Sequence, residues 1–203
     1  MNIQSSNVRK VDVRKMAIIG VLSAISIMLS MIPGIGYIPI GPTNATIMHI
    51  PVIIGAIIEG PGVGMAIGFM FGMTSLFRAL TVPTMVSFPF VNPLVSVLPR
   101  MLIGIGAYYA FKFFMKLTKN NNYISGWVAG IIGSLINTGC VLGMIYLLYG
   151  TKYAEAFANM LGEAVQAAGV LIWGMVLTNG IPEALVGGFI VSALSVALNK
   201  RKK

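Results

Sequence analysis

Charge is what this chain has least of. Lys, Arg, Asp and Glu make up 9% of its 203 residues, and only 5 of them are acidic. A soluble domain of this size needs about 25% to cover its surface, so this one does not dissolve as a monomer and its outer surface faces lipid. Cysteine occurs once, at Cys140 inside an apolar run, which excludes an intrachain disulfide. Histidine also occurs once, at His49; without a nearby Cys, Asp or second His it makes no metal site. Ser-His-Asp sets, His-Glu-x-x-His motifs and paired intramembrane aspartates are missing, which disfavours an intramembrane enzyme. The glycines from Gly62 onward lead into no Gly-Lys-Ser/Thr, so the chain holds no phosphate loop and no ATPase. Active transport by this chain therefore draws its energy from another subunit.

What is present is apolar length. Hydrophobic residues make up 57% of the chain and the mean hydropathy is +0.88. Crossing about 30 Å of hydrocarbon at 1.5 Å per residue takes about 20 apolar residues. The length accommodates six such helices and no soluble domain. Composition and punctuation predict helices at 16–32, 47–58, 63–80, 94–116, 124–149 and 165–198, in one membrane domain. Two connections, 33–45 and 81–93, are rich in Pro and Gly and cannot continue a helix. The semi-polar stretch 150–164 reads as an amphipathic segment at the membrane surface. Arg9, Lys10, Arg14 and Lys15 before the first apolar run imitate a signal peptide. No small-residue cleavage site follows, so the run is expected to be a retained helix.

The net charge of +9 would suggest nucleic acid in a soluble protein. Here the basic residues flank apolar runs, which is how cytoplasmic loops are held in place. The N-terminal cluster, Lys112, Lys116 and Lys119 around the fourth connection, and Lys200 to Lys203 all fall on one side of a six-helix arrangement. Lys152 lies on the other, with Arg78 near the end of helix 3. This asymmetry puts both termini in the cytoplasm. It also turns 33–45, 81–93 and 150–164 outward, where the two Pro-rich loops are either a lid over a ligand or ordinary turns.

Each polar group inside a membrane needs an internal partner or a function. The set is short: His49, Glu59, Arg78, Asn92, Arg100, Asn137, Asn179 and Glu183. Arg100, in Leu98-Pro99-Arg100, is always charged and able to grip a carboxylate with two parallel hydrogen bonds. That carboxylate belongs to a ligand or to Glu183; a helix terminus is the other partner open to it. Asn137 and Asn179 sit near the middles of helices 5 and 6 and either bridge helices or read a polar ligand with two donors and an acceptor each. Asn179 and Glu183 share a helix face, and Glu183 reads as structural. Tyr37 and Trp173 serve as aromatic walls or as interface anchors. Small residues form two stripes: Gly64, Gly68 and Gly72 for internal packing, and Ala17, Gly20 and Ala24 for packing or for docking another membrane subunit.

In order and spacing these features resemble an S component of the energy-coupling factor (ECF) transporters, which capture vitamins in bacteria and some archaea. The resemblance spans the chain. It rests on Arg14-Lys15-Met16-Ala17 through Ala24, the Pro/Gly-rich first loop, Gly60-Pro61-Gly62-x-Gly64, Leu98-Pro99-Arg100, Asn137-Thr138 and Asn179-x-x-x-Glu183. It implies a six-helix bundle in the bacterial cell membrane that binds its ligand from outside, beneath the first loop. It also implies docking through helix 1 to a transmembrane coupling subunit carrying two ATPases, followed by toppling of the bundle to release ligand inward. Ala17, Gly20 and Ala24 would then meet the coupling subunit; Gly20 stands where the family often has alanine. Similarity is greatest to the pantothenate-type subgroup, with folate, a queuosine precursor, lipoate or biotin as alternatives. The implied site has Arg100 on a carboxylate and Asn137 and Asn179 on hydroxyl or amide groups, with Asn92, Arg78, Trp173, Tyr37 and Asn44 around them.

Overall fold

In a membrane protein the usual inside-out rule is relaxed, and the first helix displays this. The computed structural model describes residues 12–32, 36–40, 43–162 and 167–200. Helix α1 (Val13–Met31) begins at Asp12, whose carboxylate accepts from the Lys15 backbone N–H. Its buried residues are Ser23, Ser26 and Ser30, spaced three and four apart on one face. The opposite face exposes Val21, Ile25 and Met28. Apolar surface costs nothing against lipid, so the helix turns its hydroxyls inward, where Ser26 donates to the Met48 carbonyl at 3.0 Å. At its N-terminal end, Arg14 pairs with Glu59 at 2.9 Å.

The Pro/Gly-rich first connection holds a β-hairpin: β1 (Tyr37–Ile40) pairs antiparallel with β2 (Thr43–Thr46), Tyr37 opposite Thr46. The sequence signal for it is weak: Tyr37, Ile38, Ile40, Thr43 and Thr46 favour strands, while Pro39, Asn44 and Ala45 do not. Helix α2 (Ile50–Glu59) follows and is buried from Ile50 through Ala56. It is the centre of the bundle. Gly60, at φ 101°, ends α2 and starts α3 (Pro61–Thr81) without an intervening loop. An L side chain rarely adopts that backbone conformation, and glycine does so freely.

Beyond α3, a short 3-10 turn (Phe88–Val91) and α4 (Pro93–Ser96) lead into α5 (Leu98–Leu117). The glycines of α3 let α5 lie backbone to backbone. A Cβ on Gly64 would strike Gly104, one on Gly68 the Arg100 carbonyl, and one on Gly72 the Val97 backbone. Helix α6 (Asn122–Leu161) is one continuous helix of 40 residues, about 60 Å long at 1.5 Å per residue. Residues 150–161 thus extend α6, with Tyr153, Ala154, Phe157 and Ala158 buried. Their three- and four-residue spacing is a helix stripe that the neighbouring Lys152 and Glu155 disguise. Gly162, left-handed at φ 69°, caps the end. The last segment is broken by a π turn (Val176–Gly180) into α7 (Ala168–Met175) and α8 (Ile181–Lys200).

Among the described residues, five helical segments are long and apolar enough to cross a membrane, and α2 is a shorter apolar helix beside them. The chain is a helical membrane bundle with one small hairpin added. Its core holds Val52, Ile53, Ile67 and Ile103 around α2. A second cluster packs Val95, Val141, Ile145, Tyr153, Phe157 and Met175.

Candidate functional site

One group of the polar residues buried inside this bundle converges on Glu183. Near the start of α8 it is 5% exposed, and two hydroxyls and an amide donate to its carboxylate. Oε1 accepts from Thr46 Oγ1 at 2.7 Å and from Asn137 Nδ2 at 3.1 Å. Oε2 accepts from Thr138 Oγ1 at 3.4 Å. His49 Nδ1 lies 3.1 Å from Oε1, within ion-pair distance when the ring is protonated. The approach is off the hydrogen-bond direction, so this nitrogen supplies proximity rather than an aligned bond. The far side of the ring meets Ser134 Oγ at 2.7 Å, and that hydroxyl donates to the Gly130 carbonyl at 2.9 Å. Taking a carboxylate out of water costs several kcal/mol, and only such a shell of donors offsets it.

Four elements build this cluster. β2 brings Thr46, the N-cap of α2 brings His49, α6 brings Ser134, Asn137 and Thr138 within five residues, and α8 brings Glu183. Helices α6 and α8 come this close because a Cβ on Gly130 would strike Gly187 and Gly188. β2 rests on the π turn and α8, so the hairpin is fastened directly over the cluster. Asn179, half-buried, lies within that π turn, one turn before Glu183. Single π turns in helices are found often at functional sites.

Arg100 occupies a second setting. It is 6% exposed; its Nη1 donates to the Val95 carbonyl at 2.7 Å. Its guanidinium lies over the Phe71 and Phe90 rings at 5.5 and 5.4 Å from their centroids. Both rings present their negative faces to the cation. Helices α5 and α6 are antiparallel, with Gly106 against Ile136 and Ala107 against Gly133. That register offsets the backbone positions of Arg100 and Asn137 by about four residues, or about 6 Å along the bundle axis at 1.5 Å per residue.

The remaining sequence candidates are distributed around these two settings. Asn92 caps α4 through its side-chain oxygen and donates from Nδ2 to Tyr149 Oη at 3.2 Å, tying the second Pro-rich loop to α6. Arg78 reaches across to donate to the Ser30 carbonyl near the end of α1. Trp173 on α7 is 68% exposed, which suits an anchor at the membrane interface. Tyr37 and Asn44 fall in β1 and β2, and their side chains lie outside the described residues. Ala17, Gly20 and Ala24 are exposed along α1, and a Cβ on Gly20 would meet nothing within 4 Å.

Sequence reasoning overlooked the weight of Glu183 and His49, along with Thr46, Ser134, Phe71 and Phe90. A usable signal existed. With one histidine in the whole chain and five acidic residues, a carboxylate in an apolar run needs a buried donor. His49 is itself embedded between apolar stretches, and so is a natural partner.

Known proteins resemble this chain over most of its length. The family described as "ECF transporter, substrate-specific component" matches residues 14–197. The pantothenic acid transporter PanT of Lactococcus lactis subsp. cremoris is 29% identical over 175 residues, covering 79% of this chain and 81% of its own length. The pantothenate transporter PanT of Leuconostoc mesenteroides subsp. mesenteroides is 31% identical over 185 residues, covering 86% of this chain and 87% of its own.

Proposed function

The chain belongs to the family of ECF transporter substrate-specific components, and on that premise we propose that it captures pantothenate on the outer side of a bacterial cell membrane. Its delivery inward depends on a transmembrane coupling subunit and two ATPases, since the chain holds no nucleotide-binding motif of its own. The observation that carries the substrate is the likeness, over most of the chain, to two transporters named for pantothenate.

The chemistry of the buried groups supports it. Pantothenate has a carboxylate at one end, two hydroxyls at the other and an amide between. Arg100 takes the carboxylate: its fork is permanently charged, and the Phe71 and Phe90 faces fix its plane. Asn137 and Asn179 take the hydroxyl or amide groups. The axial offset between Arg100 and Asn137 suits an extended molecule reaching from one to the other. The β-hairpin, fastened to Glu183 through Thr46, covers the ligand, and Asn92 holds the second outer loop. Both termini face the cytoplasm, as the basic clusters at each end require. The exposed stripe Ala17, Gly20 and Ala24 is the docking surface for the coupling subunit.

Binding of radiolabelled pantothenate to the purified protein tests this directly. Saturable binding that Arg100→Ala abolishes is the expected result; undiminished binding in that variant removes Arg100 from the site. In liposomes, uptake is expected only when the coupling subunit, the ATPases and ATP are present. Uptake by this chain alone would make it a stand-alone carrier instead.

A further inference from the structure

Asn137 is 7% exposed, and its two amide ends are treated differently. Nδ2 donates to Glu183 Oε1 at 3.1 Å. Oδ1 is buried with no hydrogen-bond partner among the described residues. An ionised carboxylate accepts and never donates, so Glu183 tolerates only the NH2 end of the amide facing it. The oxygen is therefore held pointing away, as a fixed acceptor. A buried acceptor left without a donor is costly, and such groups in native proteins have a reason.

We propose that Glu183 sets substrate specificity through Asn137: by binding the amide nitrogen, it fixes Oδ1 as an acceptor that selects ligands carrying a hydroxyl or amide N–H at that point. This rests on the reading of the site as a pantothenate site and deepens it. Glu183 is a positioning residue here, and it touches the ligand only through Asn137. The same carboxylate also holds Thr46 on the hairpin at 2.7 Å, so reader and cover hang on one group. A site built to pair a donor rejects the analogue lacking it, because its own polar group is then stranded. A site whose amide is free to flip does not.

The test uses the full-length protein in detergent and four probes: pantothenate, the two analogues with one hydroxyl replaced by hydrogen, and the N-methylated amide. The unaltered protein is expected to bind at least one analogue about 10- to 100-fold more weakly than pantothenate, the usual penalty for an orphaned buried acceptor. In Glu183→Gln the Asn137 amide is free to turn, and that ratio is expected to fall to within about threefold. Asn137→Leu should flatten it equally. Thr46→Val removes a different donor from the same carboxylate oxygen, so the ratio stays high whatever the overall affinity. A ratio that survives Glu183→Gln or Asn137→Leu overturns the proposal, as does one that Thr46→Val flattens equally, since general loosening of the cluster would then explain it. Absence of pantothenate binding by the unaltered protein overturns both this proposal and the function it rests on.

Discussion

Adding one methyl group at two glycines should have opposite consequences. At Gly68, a Cβ would meet the carbonyl oxygen and carbon of Arg100 and the Met101 Cα. All three atoms belong to backbone, so no rotamer change relieves the clash and α3 must move away from α5. Overpacking of this kind costs about 1–3 kcal/mol. At about 2–4 °C per kcal/mol for a chain of this length, Gly68→Ala should lower the apparent unfolding temperature by about 2–12 °C. Because the displaced backbone carries Arg100, pantothenate binding should weaken as well. At Gly20 a Cβ meets nothing, and alanine is the better helix former by about 0.8–1 kcal/mol. Gly20→Ala should therefore leave the unfolding temperature unchanged or raise it. Gly20→Leu should keep pantothenate binding yet reduce ATP-driven uptake in liposomes holding the coupling subunit and ATPases. Thermal unfolding of the purified variants in one detergent, with binding measured on the same samples, separates these effects. Equal destabilisation by Gly68→Ala and Gly20→Ala would refute the distinction between a packed stripe and an open one. Full uptake by Gly20→Leu would remove α1 as the docking surface.

Two further substitutions probe the buried groups. Glu183→Ala takes away the acceptor shared by Thr46, Asn137 and Thr138. Leaving a buried donor unsatisfied costs about 1–3 kcal/mol, so the variant should unfold below the parent in a thermal melt; a melt within a degree of the parent would show the carboxylate to be idle. Trp173→Ala, at a residue 68% exposed, should leave pantothenate affinity within about twofold, as exposed substitutions usually do. A tenfold loss in a binding assay would move the indole into the site.

The membrane character and the main helices were legible because they follow from composition and run length, which survive any rearrangement of neighbours. Gly64, Gly68 and Gly72 were legible as packing residues for a related reason: a four-residue spacing of small side chains has meaning within a single helix. The hairpin at Tyr37–Thr46 was hidden by its prolines and glycines, which read as loop before they read as turn. The continuation of α6 past Tyr149 was hidden by Lys152 and Glu155. A polarity average over that stretch obscures the buried stripe of Tyr153, Ala154, Phe157 and Ala158. Least legible was the company each polar residue keeps. Thr46 and Glu183 are 137 residues apart in sequence, and no local pattern predicts such a pair.

That limit also explains why Arg100 and Glu183, the two intramembrane charges most easily paired on paper, have different surroundings in the fold. A guanidinium is weakly hydrated and its flat face accepts aromatic rings, so Phe71 and Phe90 accommodate it within an apolar core. A carboxylate has no such face and is stable in the interior only among donors, which the hydroxyl- and amide-bearing stretch Ser134 to Thr138 supplies beside His49 and Thr46.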